Sequence, residues 1–217
     1  MTSLRRLSSS LASALALSAL AVGVVARGEV ITSNIADPAD GGSYVYTTFP
    51  QRAQAFLTTA SGTQVTTLKM DLAAASLTQA FNIKIFSSTA SGSSGLPNSA
   101  IATVFTGTGG DILLGSSPFT ISSLGINLAP STQYFVVFEC LEADNRLQWN
   151  FNNETSGSGA GFETFNTYSA SSAGNWQGIS AAQPYRMEIV AVPEPPAIVL
   201  SGIGLASAMY AFRRRRG

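Results

Sequence analysis

The stretch Gln133–Cys140, QYFVVFEC, decides the fold. An extended chain turns successive side chains to opposite faces, so Tyr134, Val136 and Phe138 share one face while Phe135 and Val137 share the other. Both sets are apolar. A strand that buries one face alternates apolar with polar residues, so this one is expected at the centre of a sheet with its second face also covered.

Neighbouring runs show the simpler alternation. TLKMDL places Leu68, Met70 and Leu72 on one face and Lys69 and Asp71 on the other. FNIKIF repeats the pattern with Phe81, Ile83 and Ile85 inward and Asn82 and Lys84 outward, and LQWNFN with Leu147, Trp149 and Phe151. Shorter candidates surround Phe56, Val104, Phe119 and Ile189. No run outside the two chain ends has a period of 3.6, and no internal repeat is evident. Many short strands separated by Gly/Ser/Asn/Pro clusters predict an all-β domain of two packed antiparallel sheets. SSTASGSSGLPNS (87–99) and NNETSGSGAG (152–161) are expected to be solvated connectors.

Composition narrows the function. The 217 residues are only 11% charged, against about 25% in an ordinary soluble domain. Twelve Lys/Arg balance twelve Asp/Glu. Setting aside Arg5, Arg6 and Arg213–Arg216 leaves six cations, and setting aside Glu194 leaves eleven anions, so the middle carries minus five. Six scattered cations build no basic face, and no nucleic-acid partner is expected. The absence of histidine removes His-based triads and His-ligated metals. The single cysteine, Cys140, has no intramolecular disulfide partner and is expected as a small buried residue of a strand.

The two ends read differently. Residues 1–26 place Arg5 and Arg6 before an Ala/Leu/Val-rich run that closes on Val24-Val25-Ala26, the layout of a secretory signal peptide. Signal peptidase is expected to cut after Ala26 or two residues later, with export through the general secretory route. At the other end, Ala197–Phe212 is free of charge. As a helix these sixteen residues reach about 24 Å, short of the roughly 30 Å hydrocarbon core, so they span a membrane only with thinning or snorkelling. The four arginines that follow, Arg213, Arg214, Arg215 and Arg216, are costly to translocate and should stay cytoplasmic. Both ends then leave the intervening domain outside the cytoplasmic membrane.

The final segment, VPEPPAIVLSGIGLASAMYAFRRRRG (192–217), resembles the PEP-CTERM sorting signal of bacteria that make extracellular polysaccharide. Pro193, Glu194 and Pro195 match its motif, the apolar run its helix, and Arg213–Arg216 its basic tail. The resemblance implies recognition by an exosortase-type membrane protease that cuts near the motif and releases or re-anchors the protein. The prolines fix φ and remove backbone donors, presenting Glu194 in an extended strand that a protease cleft can grip. The alternative is a plain membrane anchor on a proline-rich stalk.

Between the ends, residues 27–191 resemble the choice-of-anchor group of bacterial surface domains, type R. The matching pieces are RAQAFLTTASGTQVTTLKMDL, FNIKIFSS, LAPSTQYFVVFE, LQWN, GNWQG and PYRMEIVAV. This resemblance implies a jelly-roll-like β-sandwich and brings no catalytic residues with it.

Three site chemistries are open to these residues. Glu139, Glu142, Asp144 and Glu154 supply carboxylates, and two of them about 5–9 Å apart would serve a glycosidase; the competing reading is a hairpin turn with solvated charges. Asp37 and Asp40, with Glu142, Asp144 and Asn145, offer hard oxygen ligands for Ca²⁺, although neither stretch matches an EF-hand or a glycine-rich calcium repeat. Trp176, with Tyr168 and Phe165 nearby in sequence, could present rings to a sugar; Trp149 is assigned to the core. Lys69 and Lys84, on outward strand faces, make poor catalytic bases.

The sequence is therefore expected to encode a non-enzymatic surface or matrix protein without a cofactor. It is anchored in the cytoplasmic membrane as a precursor and then displayed or released in an exopolysaccharide layer. A carbohydrate-binding module is the alternative, and a glycan-active enzyme with paired carboxylates a further one.

Overall fold

A computed structural model of the protein describes residues 28–45, 50–60, 63–90, 92, 95–114, 117–142, 147–153, 157–170, 175–178 and 183–193. They form β1 (Glu29–Ser33), β2 (Gly41–Val45), β3 (Gln51–Leu57), β4 (Thr63–Met70), β5 (Leu72–Ala74), β6 (Ala80–Ser88) and β7 (Pro97–Thr108). After the short helix α1 (Gly109–Leu114) come β8 (Phe119–Leu128), β9 (Gln133–Cys140), β10 (Leu147–Phe151), β11 (Phe162–Ala170), β12 (Trp176–Gly178) and β13 (Met187–Pro193). Three sheets result, ordered β12-β11-β3-β9-β6-β7, β1-β13-β4-β8 and β2-β10-β5. Their strand pairs are antiparallel.

QYFVVFEC is β9, flanked by β3 and β6 in the six-stranded sheet, and both its faces are buried. Tyr134, Val136, Phe138 and Cys140 enter the main core, which they share with Leu68 and Met70 of β4, Ile189 of β13 and Trp149 of β10. All three sheets thus contribute to one apolar interior, a sandwich-like arrangement. Each fully buried Phe or Leu contributes about 1.5–3 kcal/mol relative to exposure. Phe81 of β6 joins the layers, its ring 5.4 Å from Phe138 and, edge to face, 6.2 Å from Phe119 of the four-stranded sheet. The opposite face of β9 carries Phe135 and Val137, which cluster with Ala53, Ala55 and Tyr168.

TLKMDL departs from the reading as one strand. Leu68, Met70 and Leu72 are buried as expected. The strand breaks at Asp71, however, with β4 in the four-stranded sheet and β5 in the three-stranded one. Asp71 is buried rather than solvent-facing, 9% exposed, and bonded to Asn150 and Arg186. Parity along a strand survives such a switch, so alternation alone does not reveal a change of partner.

Two connectors hold more structure than their composition suggests. Residues 87–99 contain the facing ends of β6 and β7, with Ser88 opposite Pro97. In 152–161, Ser158 exchanges backbone hydrogen bonds with Ser33 at 2.8 and 2.7 Å. Gly159 follows at φ +93°, where a Cβ would fall 2.3 Å from the Ile31 carbonyl oxygen, so glycine permits this close approach to β1. Helix α1 is a departure too, a single turn and a half whose first amides donate to the carbonyls of Gln79 and Leu77. It is too short to show a helical period.

β1 and β13 are neighbours, with Glu29 opposite Ala191. The chain therefore enters and leaves this domain at one end of the four-stranded sheet. The signal segment with Ala26, Glu194, Pro195, the apolar run and Arg213–Arg216 lie outside the described residues; Pro193, the last residue of β13, pairs with Thr63.

Candidate functional site

The densest polar constellation among the described residues sits where the four-stranded and three-stranded sheets meet. Asp71, Asn150 and Arg186 bond in a closed backbone ring: Asp71 N donates to Arg186 O at 3.1 Å, Arg186 N to Asn150 O at 2.9 Å, and Asn150 N to Asp71 O at 2.9 Å. Their side chains repeat the connection. Arg186 Nη1 pairs with Asp71 Oδ2, Asn150 Nδ2 donates to Asp71 Oδ1 at 3.0 Å, and Arg186 Nη2 donates to Ile35 O at 2.6 Å. Asn34 extends the junction to the end of β1, donating through Nδ2 to Tyr185 O and accepting from Met187 N through Oδ1. Burial pulls the Arg186 pKa below its usual value, against the opposing fields of Asp37 and Asp40. A guanidinium nevertheless stays charged, so this group binds and orients rather than moves protons.

Beside the junction, Ser33, Asn34, Ala36, Asp37, Gly157 and Ser158 line an open groove of about 270 Å³. The negative charges of Asp37 and Asp40 act on the Arg186 cation, and that cation in turn offsets the charge they would offer to Ca²⁺. Asp40 Oδ2 already accepts from Asn153 N at 2.7 Å. Glu142 is exposed at the far end of β9, and Asp144 and Asn145 lie outside the described residues. No group of three or more acidic or cysteine side chains converges among the described residues.

Glu139 is an acceptor hub of β9. Its carboxylate receives Gln51 Nε2 at 2.7 Å, Lys84 Nζ at 2.5 Å and Asn82 Nδ2 at 3.3 Å. Burial alone would raise its pKa. The three donors and the Lys84 charge outweigh that and hold it below the ordinary glutamate value. A glycosidase acid needs the opposite displacement, so Glu139 is suited to a structural ion pair. Glu154, its other suggested partner, is outside the described residues. Lys69 is likewise engaged, 2.6 Å from Glu188.

The aromatic platform is not assembled as expected. Tyr168 is 6% exposed, its ring 5.7 Å from Phe135 in an edge contact, and burial raises its pKa. It therefore fills the second cluster and is withdrawn as a sugar contact. Trp176 is half-buried and meets Phe86 edge to face at 6.3 Å. Three strands separate β12 from β6, so this indole lies over the outer face of the six-stranded sheet. Of Phe165, only its place in β11 is described. Trp149 is fully buried, as assigned.

Sequence reasoning missed the Asp71–Asn150–Arg186 junction. Its only local signal is an aspartate closing an apolar alternation, which reads equally as a solvent-facing residue. The sequence matches no family model, and no curated protein is detectably similar to it.

Proposed function

We propose that this is an exported, non-enzymatic protein of the cell surface or extracellular matrix, sorted through a carboxyl-terminal PEP-CTERM signal. The domain is read as a jelly-roll-like sandwich with a structural or adhesive role in an exopolysaccharide layer. The pairing of Glu29 with Ala191 carries the proposal. It brings the junction with the signal segment and the start of the Pro-Glu-Pro motif to the same end of one sheet. That geometry suits a precursor held at both termini by a single membrane, since a domain whose ends emerged at opposite poles would have to lie across the surface or be tethered by longer linkers. Cutting beyond Pro193 would also leave the seven register positions between β13 and β4 in place.

Mass spectrometry of the protein from cells with and without the sorting protease tests this reading. The expected outcome is a mature chain starting near residue 27 and ending close to the Pro-Glu-Pro motif, with a full carboxyl end only in the protease-deficient cells. An intact Arg213–Arg216 tail in wild-type cells would establish the plain anchor instead. A reporter fused near residue 190 and active only in the cytosol would refute export.

A further inference from the structure

β7 and β8 each end a sheet, β7 the six-stranded and β8 the four-stranded, and among the described residues no third strand pairs with either. They lie on one flank of the domain, where Phe105 of β7 and Phe119 of β8 meet edge to face at 5.1 Å. With twelve and ten residues they are much longer than the other terminal strands: β1 and β2 have five residues, and β5 and β12 three. A terminal strand leaves a row of backbone donors and acceptors unpaired, and proteins commonly blunt such rows with charged side chains. Neither β7 nor β8 contains one.

The neutrality extends well beyond the two strands. Between Lys84 and Glu139 the sole charged residue is Asp111, an exposed carboxylate just past the end of β7 that accepts from Thr108 N at 2.7 Å. The outward residues are hydroxylic, amide or apolar and include Thr103 and Thr106 on β7, Thr120, Ser122 and Asn127 on β8, and Ile101, 47% exposed. Ile101 falls in a bulge, since its neighbours Ala100 and Ala102 are the ones opposite Phe86 and Ile85. Further irregularities divide both strands into short regular runs. Bulges thus take the place of charge as a restraint on this flank. They limit how many ladder bonds can form without repelling an incoming strand.

We infer that the β7–β8 flank is a self-association surface whose occupant is a second copy of this chain. The excess of eleven anions over six cations counted above disfavours contact between copies through charged surface, and β7 and β8 contribute none of those charges. Two such strand edges related by a twofold axis meet along side chains that carry no charge, and each supplies donors, acceptors and an exposed isoleucine to the other. A strongly charged partner would find nothing complementary. Short regular runs make a weak contact, favoured when copies are crowded together. The inference does not depend on where the protein resides.

Sedimentation of the full chain in detergent, over a range of concentrations, tests it. Reversible dimers are expected, with loss of dimer in the Ile101→Lys/Thr120→Lys variant. Dimer should persist in a Val30→Lys/Leu141→Lys control, which adds the same charge at other exposed positions. In a second measurement, Thr103→Cys should give a disulfide-linked dimer under mild oxidation, because the native Cys140 is buried. A monomer at every concentration, association that survives the flank variant, or equal loss in the control would overturn the inference.

Discussion

Trp149 stacks on Tyr185 with ring centroids 4.7 Å apart and 17° between planes, while its indole Nε1 donates to Arg186 O at 3.0 Å. One side chain of the three-stranded sheet therefore holds the approach to β13 by both its face and its edge. Trp149→Ala removes the stack, the hydrogen bond and a fully buried ring. A loss of about 3–5 kcal/mol is expected, the usual cost of emptying a large aromatic site. Urea unfolding of the two proteins measures it, and a loss below about 1 kcal/mol would mean that the interior closes around the gap.

The Asp71–Arg186 pair makes a prediction of a different form. Removing the carboxylate strands a partly buried guanidinium, so Asp71→Ala should cost about 3–5 kcal/mol. Removing both charges relieves that penalty, and the Asp71→Ala/Arg186→Met variant should be more stable than Asp71→Ala alone. A double-mutant cycle in thermal denaturation reads the coupling directly. Simple additivity would show that the pair is screened rather than buried.

Glu139 links stability to pH. Its folded pKa is depressed, burial being outweighed by the Lys84, Gln51 and Asn82 donors. Its stabilisation is therefore complete above the ordinary glutamate value of 4.5 and is lost as pH falls through the lower folded value. Glu139→Gln should be less stable than the parent by about 1–3 kcal/mol at neutral pH. The gap should narrow below pH 4.5, where the carboxylate begins to protonate in the unfolded parent, and close as pH falls through the lower folded value. A gap independent of pH would place the loss in packing instead of charge.

Much of the sheet architecture is legible from local parity, and the site is not. The two apolar faces of QYFVVFEC announce a central strand, and the burial of Leu68, Met70, Phe81, Ile83, Ile85, Leu147 and Trp149 follows from period-two runs. Parity says nothing of partners, so the change of sheet at Asp71 is invisible. The junction is built from residues 79 and 115 positions from Asp71, beyond the reach of any window. Tyr168 misleads for a related reason: its nearness to Trp176 in sequence suggests a shared aromatic surface, yet its backbone pairs with Ala53 and its ring closes over Phe135.

The placement of β13 has a mechanical consequence. It is an inner strand, gripped by β1 on one side and β4 on the other, and the carboxyl-terminal segment departs from its end. Tension applied through that segment and resisted at the opposite pole runs parallel to the strand. The bonds to β4 then share the load at once instead of parting one after another. A cable attached to this strand would pull in shear, the direction in which a pleated ladder yields last.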